Sequence, residues 1–201
     1  MSCQVAMATS RGSTRRWTPE KRGNCSTPTS ALGFFSIRWL ATIALCGHGD
    51  IYFGTGGGRV ARVFRSKDRG RSWTATETPI ASGNASSGIF SIACHDGAVV
   101  AVGGDYKDQG AAKRVAVYSA DSGKTWHLAE QQPGGYRSAV NSDSHGTFVA
   151  VGPTGTDVSV DGGVHWKSLE VQNFNAASFA ETEGWAAGAK GTIARLKTQH
   201  K

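Results

Sequence analysis

Short apolar runs punctuate the chain at intervals: "IYFG" at 51–54, "VVAVGG" at 99–104, "FVAVG" at 148–152 and "GWAA" at 184–187. The first three end in glycine, and Gly188 follows the fourth. After each comes a second β-prone run, and after the first three a turn rich in Gly and Asp and then a strand opened by Trp. Runs this short, separated by turn residues and lacking a helical period, predict an all-β chain.

The turn repeats one octet, S-x-D-x-G-x-x-W. It occurs as Ser66, Asp68, Gly70 and Trp73; as Ser119, Asp121, Gly123 and Trp126; and as Ser159, Asp161, Gly163 and Trp166. "SRGSTRRWT" places Ser10 and Trp17 at the outer positions of the pattern but has Gly12 in place of the Asp and Thr14 in place of the Gly, so a degenerate copy and a coincidence both stay open. Toward the C-terminus "GPTGTDVS" (152–159) aligns without gaps to "GAKGTIAR" (188–195). The last unit is therefore expected to supply three strands and no fourth.

Four strands in roughly 40–50 residues match one blade of a β-propeller. The expected blades run about 33–77, 88–130, 135–170 and 174–197, behind an irregular basic segment at 1–32. Insertions such as "ASGNASSG" (81–88) and "DYKDQGAAK" (105–113) account for the longer units. In the octet, the Asp accepts hydrogen bonds from its own turn, the Gly takes positive φ, and the Ser adds a second local bond. The Trp re-enters the blade to cover apolar surface. Asp68, Asp121 and Asp161 are thus read as turn residues rather than catalytic acids, and no catalytic residue is assigned.

Composition alters this picture in two places. The net charge is +7, but residues 1–45 carry six basic side chains against one acid, whereas the remaining 156 carry 16 against 14. The basic excess belongs to the N-terminal segment, and no nucleic-acid partner is expected for the repeats. Cys3, Cys25, Cys46 and Cys94 show neither zinc spacing nor the density of a disulfide scaffold, and leave the redox compartment open. The six histidines lack ligand spacing, so neither metal nor cofactor is expected. No apolar run approaches membrane-span length. "LATIAL" ahead of Cys46 has Leu45 where a lipoprotein cleavage site needs a small residue.

The three octets resemble the Asp-box, or bacterial neuraminidase, repeat. The combined pattern "AVGGDY…VAVYSADSGKTW", "PGGYRSAV…FVAVGPTGTDVSVDGGVHW" and "GWAAGAKGTIARL" is similar to photosystem II stability/assembly-factor-like propellers, a group found also in non-photosynthetic bacteria. The resemblance covers about 33–197. It implies a six- or seven-bladed ring, of which this chain would be a C-terminal part with a truncated or mis-started beginning. It also implies a non-enzymatic scaffold that binds a protein or peptide, in a periplasmic or secreted setting, although no export signal is visible here. The competing expectation is a carbohydrate-active or carbohydrate-binding Asp-box propeller, sialidase-like or endoglucanase-like.

Candidate chemistry is sparse. A sialidase-like site needs an arginine cluster and a Tyr–Glu pair, and Tyr52, Tyr106, Tyr118 and Tyr136 form no such pattern with Glu77, Glu130, Glu181 or Glu183. Asp105 and Asp157 each follow a Gly-ended strand and are nominated as a carboxylate pair, with turn capping as the favoured reading. "GTGGGR" (54–59) lacks the ending and the helix of a phosphate loop. The densest basic run of the repeats is "RVARVFRSKDRGRSW" (59–73). Strand alternation there would put Arg59 and Arg65 on one face and Arg62 on the other. These three are the candidate partner-binding residues, weighed against ordinary solvated charges.

Overall fold

Strands of two to nine residues with apolar side chains on both faces cannot bury themselves as one open sheet; each small sheet must be covered on two sides. The computed structural model, which describes residues 39–47, 49–169, 172–180 and 183–197, solves this by stacking antiparallel meanders. The 1–32 segment, the degenerate octet at Ser10–Trp17 and Glu181 lie outside the described residues.

The first meander joins β1 (Trp39–Cys46), β2 (Asp50–Gly56), β3 (Arg62–Ser66) and β4 (Thr74–Glu77) in chain order. The second joins β5 (Ser87–His95), β6 (Ala98–Asp105), β7 (Ala116–Ser119) and the two-residue β8 (His127–Leu128). The third comprises β9 (Ala139–Ser142), β10 (Phe148–Gly152), β11 (Gly155–Ser159) and β12 (Lys167–Leu169). The fourth, among the described residues, has three strands: β13 (Ala176–Ala180), β14 (Glu183–Ala187) and β15 (Ile193–Lys197). A single pair, Gly56 with Gly88, joins the first two meanders into one curled sheet.

The core lies between consecutive meanders. Tyr52, Val63 and Ile80 meet Ile89, Val99, Ala101 and Trp126 in the first layer. Val100, Val102 and Ala116 meet Val140, Phe148, Ala150 and Trp166 in the second, and Val149 and Val151 meet Phe174 and Ala186 in the third. The "VVAV" and "FVAV" runs therefore split residue by residue between two cores, as period-two side-chain alternation requires.

The glycines that end these runs have a steric reason. A Cβ on Gly103 would lie 1.9 Å from the Gly88 carbonyl oxygen, and one on Gly152 would lie 2.3 Å from that of Tyr136. In both places the chain entering a blade's first strand passes over the end of a neighbouring second strand. Meanders stacked in this way form an all-β, partial β-propeller.

Candidate functional site

Each blade has two ends with different chemistry. One end holds the octet turns, between the third and fourth strands, together with the short hairpins between the first and second. The opposite end holds the connections between second and third strands and those that lead into the next blade.

At the octet end the three turns are built alike. Ser66 Oγ donates to Asp68 Oδ1 (2.8 Å) and accepts from the Gly70 N–H (2.7 Å). Ser119 does the same with Asp121 (2.7 Å) and Gly123 (2.8 Å), and Ser159 with Asp161 (2.8 Å) and Gly163 (3.0 Å). The Asp then accepts the backbone N–H four residues on, from Ser72, Thr125 or His165. The same residue's side chain reaches the other carboxylate oxygen. This donation holds Asp68 down at about 2, led by the Ser72 hydroxyl and N–H, and lowers Asp121, led by the Thr125 N–H. For Asp161 partial burial pulls upward, but the bonds from His165 and Ser159 outweigh it and the net shift is down.

Two consecutive residues turn left-handed in every octet: Arg69 and Gly70, Ser122 and Gly123, Gly162 and Gly163. Trp73 and Trp166 donate Nε1 to the carbonyl of their own octet glycine at 3.1 Å. Trp126 and Trp166 are 8% and 1% exposed and plug the layer shared with the preceding blade, while Trp73 is half-buried and packs edge-on against Phe53.

Beside the second octet lies a cavity of about 250 Å³ lined by Asp50, Tyr52, Cys46, Cys94, His95 and Ser122. The Tyr52 hydroxyl donates to the Ser122 carbonyl (2.9 Å) and reaches Asp50 (3.3 Å). Burial is the main reason that its pKa is pushed up to about 12, so the phenol stays protonated. Arg65 donates to Asp50 through Nε (3.0 Å) and Nη2 (2.5 Å) and lies over the Tyr52 ring.

The opposite end is organised by bonds that occur once. Arg137 and Asp157, both 1% exposed, form an ion pair through Nε (2.6 Å) and Nη2. The remaining guanidinium nitrogen of Arg137 donates to the Tyr136 carbonyl (2.9 Å) and to Thr154 Oγ1 (2.8 Å). The 105–113 insertion is docked rather than splayed, because the Tyr136 N–H donates to the Gln109 carbonyl at 2.9 Å. Phe90, in the irregular stretch of β5 between Ile89 and Ser91, packs edge-on against Tyr136 (4.8 Å) and Tyr106 (6.1 Å). Burial, with a smaller contribution from Tyr106, raises Tyr136 to about 12. Arg114 spends its guanidinium on the Pro79 (2.6 Å) and Ile80 (3.1 Å) carbonyls.

The three candidate arginines are separated rather than gathered. Arg59 precedes β3, in the turn after β2, so strand alternation never reaches it; it is exposed at the opposite end. Arg62 pairs with Glu77 at 2.5 Å, and Arg65 is buried at the octet end. The nominated carboxylates also part company. Asp105 caps its loop, accepting from the Lys107 N–H (2.9 Å) and Asn84 Nδ2 (2.8 Å). Asp157 instead commits its charge to Arg137. Arg137 and Asp157 lie twenty positions apart, and "GGYR" with "GTD" carried no pattern that would pair them. The Cys46–Cys94 disulfide, with a Cα separation of 5.9 Å, is likewise hidden by a sequence separation of 48. Among the described residues no helix is long and apolar enough to cross a membrane.

Fold and site geometry together define a β-propeller. YCF48 bound to D1 peptide is similar, with a TM-score of 0.56 and 12% identity over 81% of this chain and 51% of that one. YCF48 from Cyanidioschyzon merolae gives 0.51 and 12%, over 81% and 55%. The GH74 enzyme of Niastella koreensis gives 0.57 and 16%, over 81% and 29%. The chain thus spans about half the length of the YCF48 structures and less than a third of the GH74 enzyme. At such identities the likeness is one of fold. No family model matches the chain, and no curated relative does.

Proposed function

We propose that the chain is part of a non-enzymatic propeller scaffold of the Asp-box, photosystem-assembly-factor-like type, and that it binds a protein or peptide at the end opposite the octets. The observation that carries this reading is the commitment of its acids. All three octet aspartates are saturated by their own turns, and Asp157 is sealed against Arg137. The similarity to YCF48 bound to D1 peptide supports a peptide partner. At the opposite end, exposed Tyr106, Lys107 and Lys113 stand on the insertion docked through Gln109 on Tyr136 and Thr154, and exposed Arg59 stands on a turn held by Ser82 and Gly83. Loops pre-ordered in this way lose less entropy when they bind.

A carbohydrate-active or carbohydrate-binding propeller is the second reading, favoured by the likeness to the GH74 enzyme. It would need acids other than Asp157. Screening the chain against an array of synthetic acidic and neutral peptides, alongside a glycan array and a fluorogenic sialoside, separates the two. The scaffold reading expects peptide capture that weakens with Arg59→Glu. Glycan binding or sialoside hydrolysis without peptide capture overturns it. Arg65→Glu is not a clean probe, since it sets a second carboxylate against Asp50.

A further inference from the structure

The innermost strands of successive blades meet along seams, and the seams are fastened by different chemistry. Between β5 and β9, Ser91 Oγ accepts from the Val140 N–H (3.1 Å) and donates to its carbonyl (3.4 Å), while Ser142 Oγ donates to the Cys94 carbonyl (3.1 Å). Between β9 and β13, Asn141 Nδ2 donates to the Ala177 carbonyl (2.5 Å) and Ser138 Oγ to that of Asn175 (2.7 Å). Between β1 and β5, among the described residues, the fastening is the Cys46–Cys94 disulfide. The backbone of β1 pairs with β2 and not with β5.

β1 is also the strand with the most to lose. Ala44 and Cys46 cover the first core layer, while Ile43 and Leu45 are 61% and 76% exposed. Its inner edge forms one wall of a groove of about 490 Å³ whose other walls are β5, β9 and β13. Both cysteines are half-buried and line the 250 Å³ cavity at the octet end, which gives a small thiol a route to the bond.

We propose that Cys46–Cys94 is a site of thiol–disulfide exchange with a dithiol reductant, and that its redox state decides whether β1 is tethered to the second blade. One thiolate of the reductant attacks a sulfur of the pair; the Sγ–Sγ bond breaks, a mixed disulfide forms, and the released cysteine takes a proton. The second thiol of the reductant then resolves the mixed disulfide. The reductant leaves as its own disulfide, and Cys46 and Cys94 remain as two thiols. The seams made by Ser91, Ser138, Asn141 and Ser142 carry no bond that a reductant can break.

Treating the native chain with dithiothreitol, then alkylating and mapping by mass spectrometry, tests the first part; hydrogen exchange on the same samples tests the second. The expected result is alkylation of both Cys46 and Cys94, with amide exchange in 43–46 rising by about tenfold or more while β6, β7, β10 and β11 keep their protection. Cys46→Ser with Cys94→Ser should show the fast β1 exchange without reductant and no further response to it. Three results would overturn the proposal: thiols already free in the untreated chain, a bond that resists dithiothreitol while the fold is intact, or reduction that leaves β1 unchanged. Loss of protection in all blades at once would overturn it too, since the bond would then be a general staple.

Discussion

The two ends of the blades solve the same problem by opposite means. At the octet end, one turn is used three times, closed by bonds among residues at most four apart. At the opposite end the connections vary, and several are held by a side chain from far along the chain: Arg137 on Asp157, Arg114 on Pro79 and Ile80, Gln132 on Val115 and Ala116. Uniform turns set the spacing of the array. Individual ones shape a surface, and loops carried on a rigid scaffold are where binding groups concentrate.

The comparison breaks first where a buried group is removed from either end. Arg137→Ala strands the Asp157 charge in the interior and should cost about 3–5 kcal/mol in urea unfolding. Replacing both partners with apolar residues should recover most of that loss. At the octet end, Trp166→Ala should cost a similar amount, about 3–5 kcal/mol, and half-buried Trp73→Ala less than half as much. Equal losses at Trp73 and Trp166 would mean that the octets do not act through the preceding blade.

Smaller effects test the turns themselves. Gly162 occupies a left-handed position that Arg69 (φ +58°) and Ser122 (φ +59°) fill at a steric cost. Arg69→Gly should therefore stabilise by about 1 kcal/mol, read as a shift in denaturation midpoint.

The smallest expected effect is a pH dependence confined to the third octet. His165 Nδ1 meets Asp161 Oδ2 at 2.7 Å and Nε2 meets Glu130 Oε2 at 3.4 Å, so the ring sits between a carboxylate of its own turn and one from the segment after β8. The bond to Asp161 chiefly, with Glu130 assisting, raises its pKa above 6.5. The stability contributed by the protonated ring is complete below 6.5 and fades as pH climbs through the raised folded value. The melting difference between the native chain and His165→Ser should shrink over that interval. The octet aspartates run the other way: their contribution holds above 3.8 and fails as pH falls toward about 2, where Asp68 takes up its proton.

How much of this could be read in advance followed the distance between partners. Ser119, Asp121, Gly123 and Trp126 declare their turn because every bond in it is local. The splitting of "VVAV" between two cores also follows from alternation alone. Asp157 reads as a turn cap because it follows a Gly-ended strand, whereas its partner lies across the blade. Alternation would put Arg59 and Arg65 on one face, but it holds only inside a strand, and β3 begins at Arg62. The pairing of Cys46 with Cys94 depends on the curl of two meanders, which no spacing rule encodes.

The octet glycines have a consequence beyond their own turns. A Cβ at Gly123 would come within 2.9 Å of the Tyr52 ring, and one at Gly163 within 2.6 Å of Val100, each on the preceding blade. A hydrogen atom at these two points therefore sets how closely one wedge can lean on the next. A methyl group there would act as a shim, opening the angle between wedges and changing how many of them complete a circle.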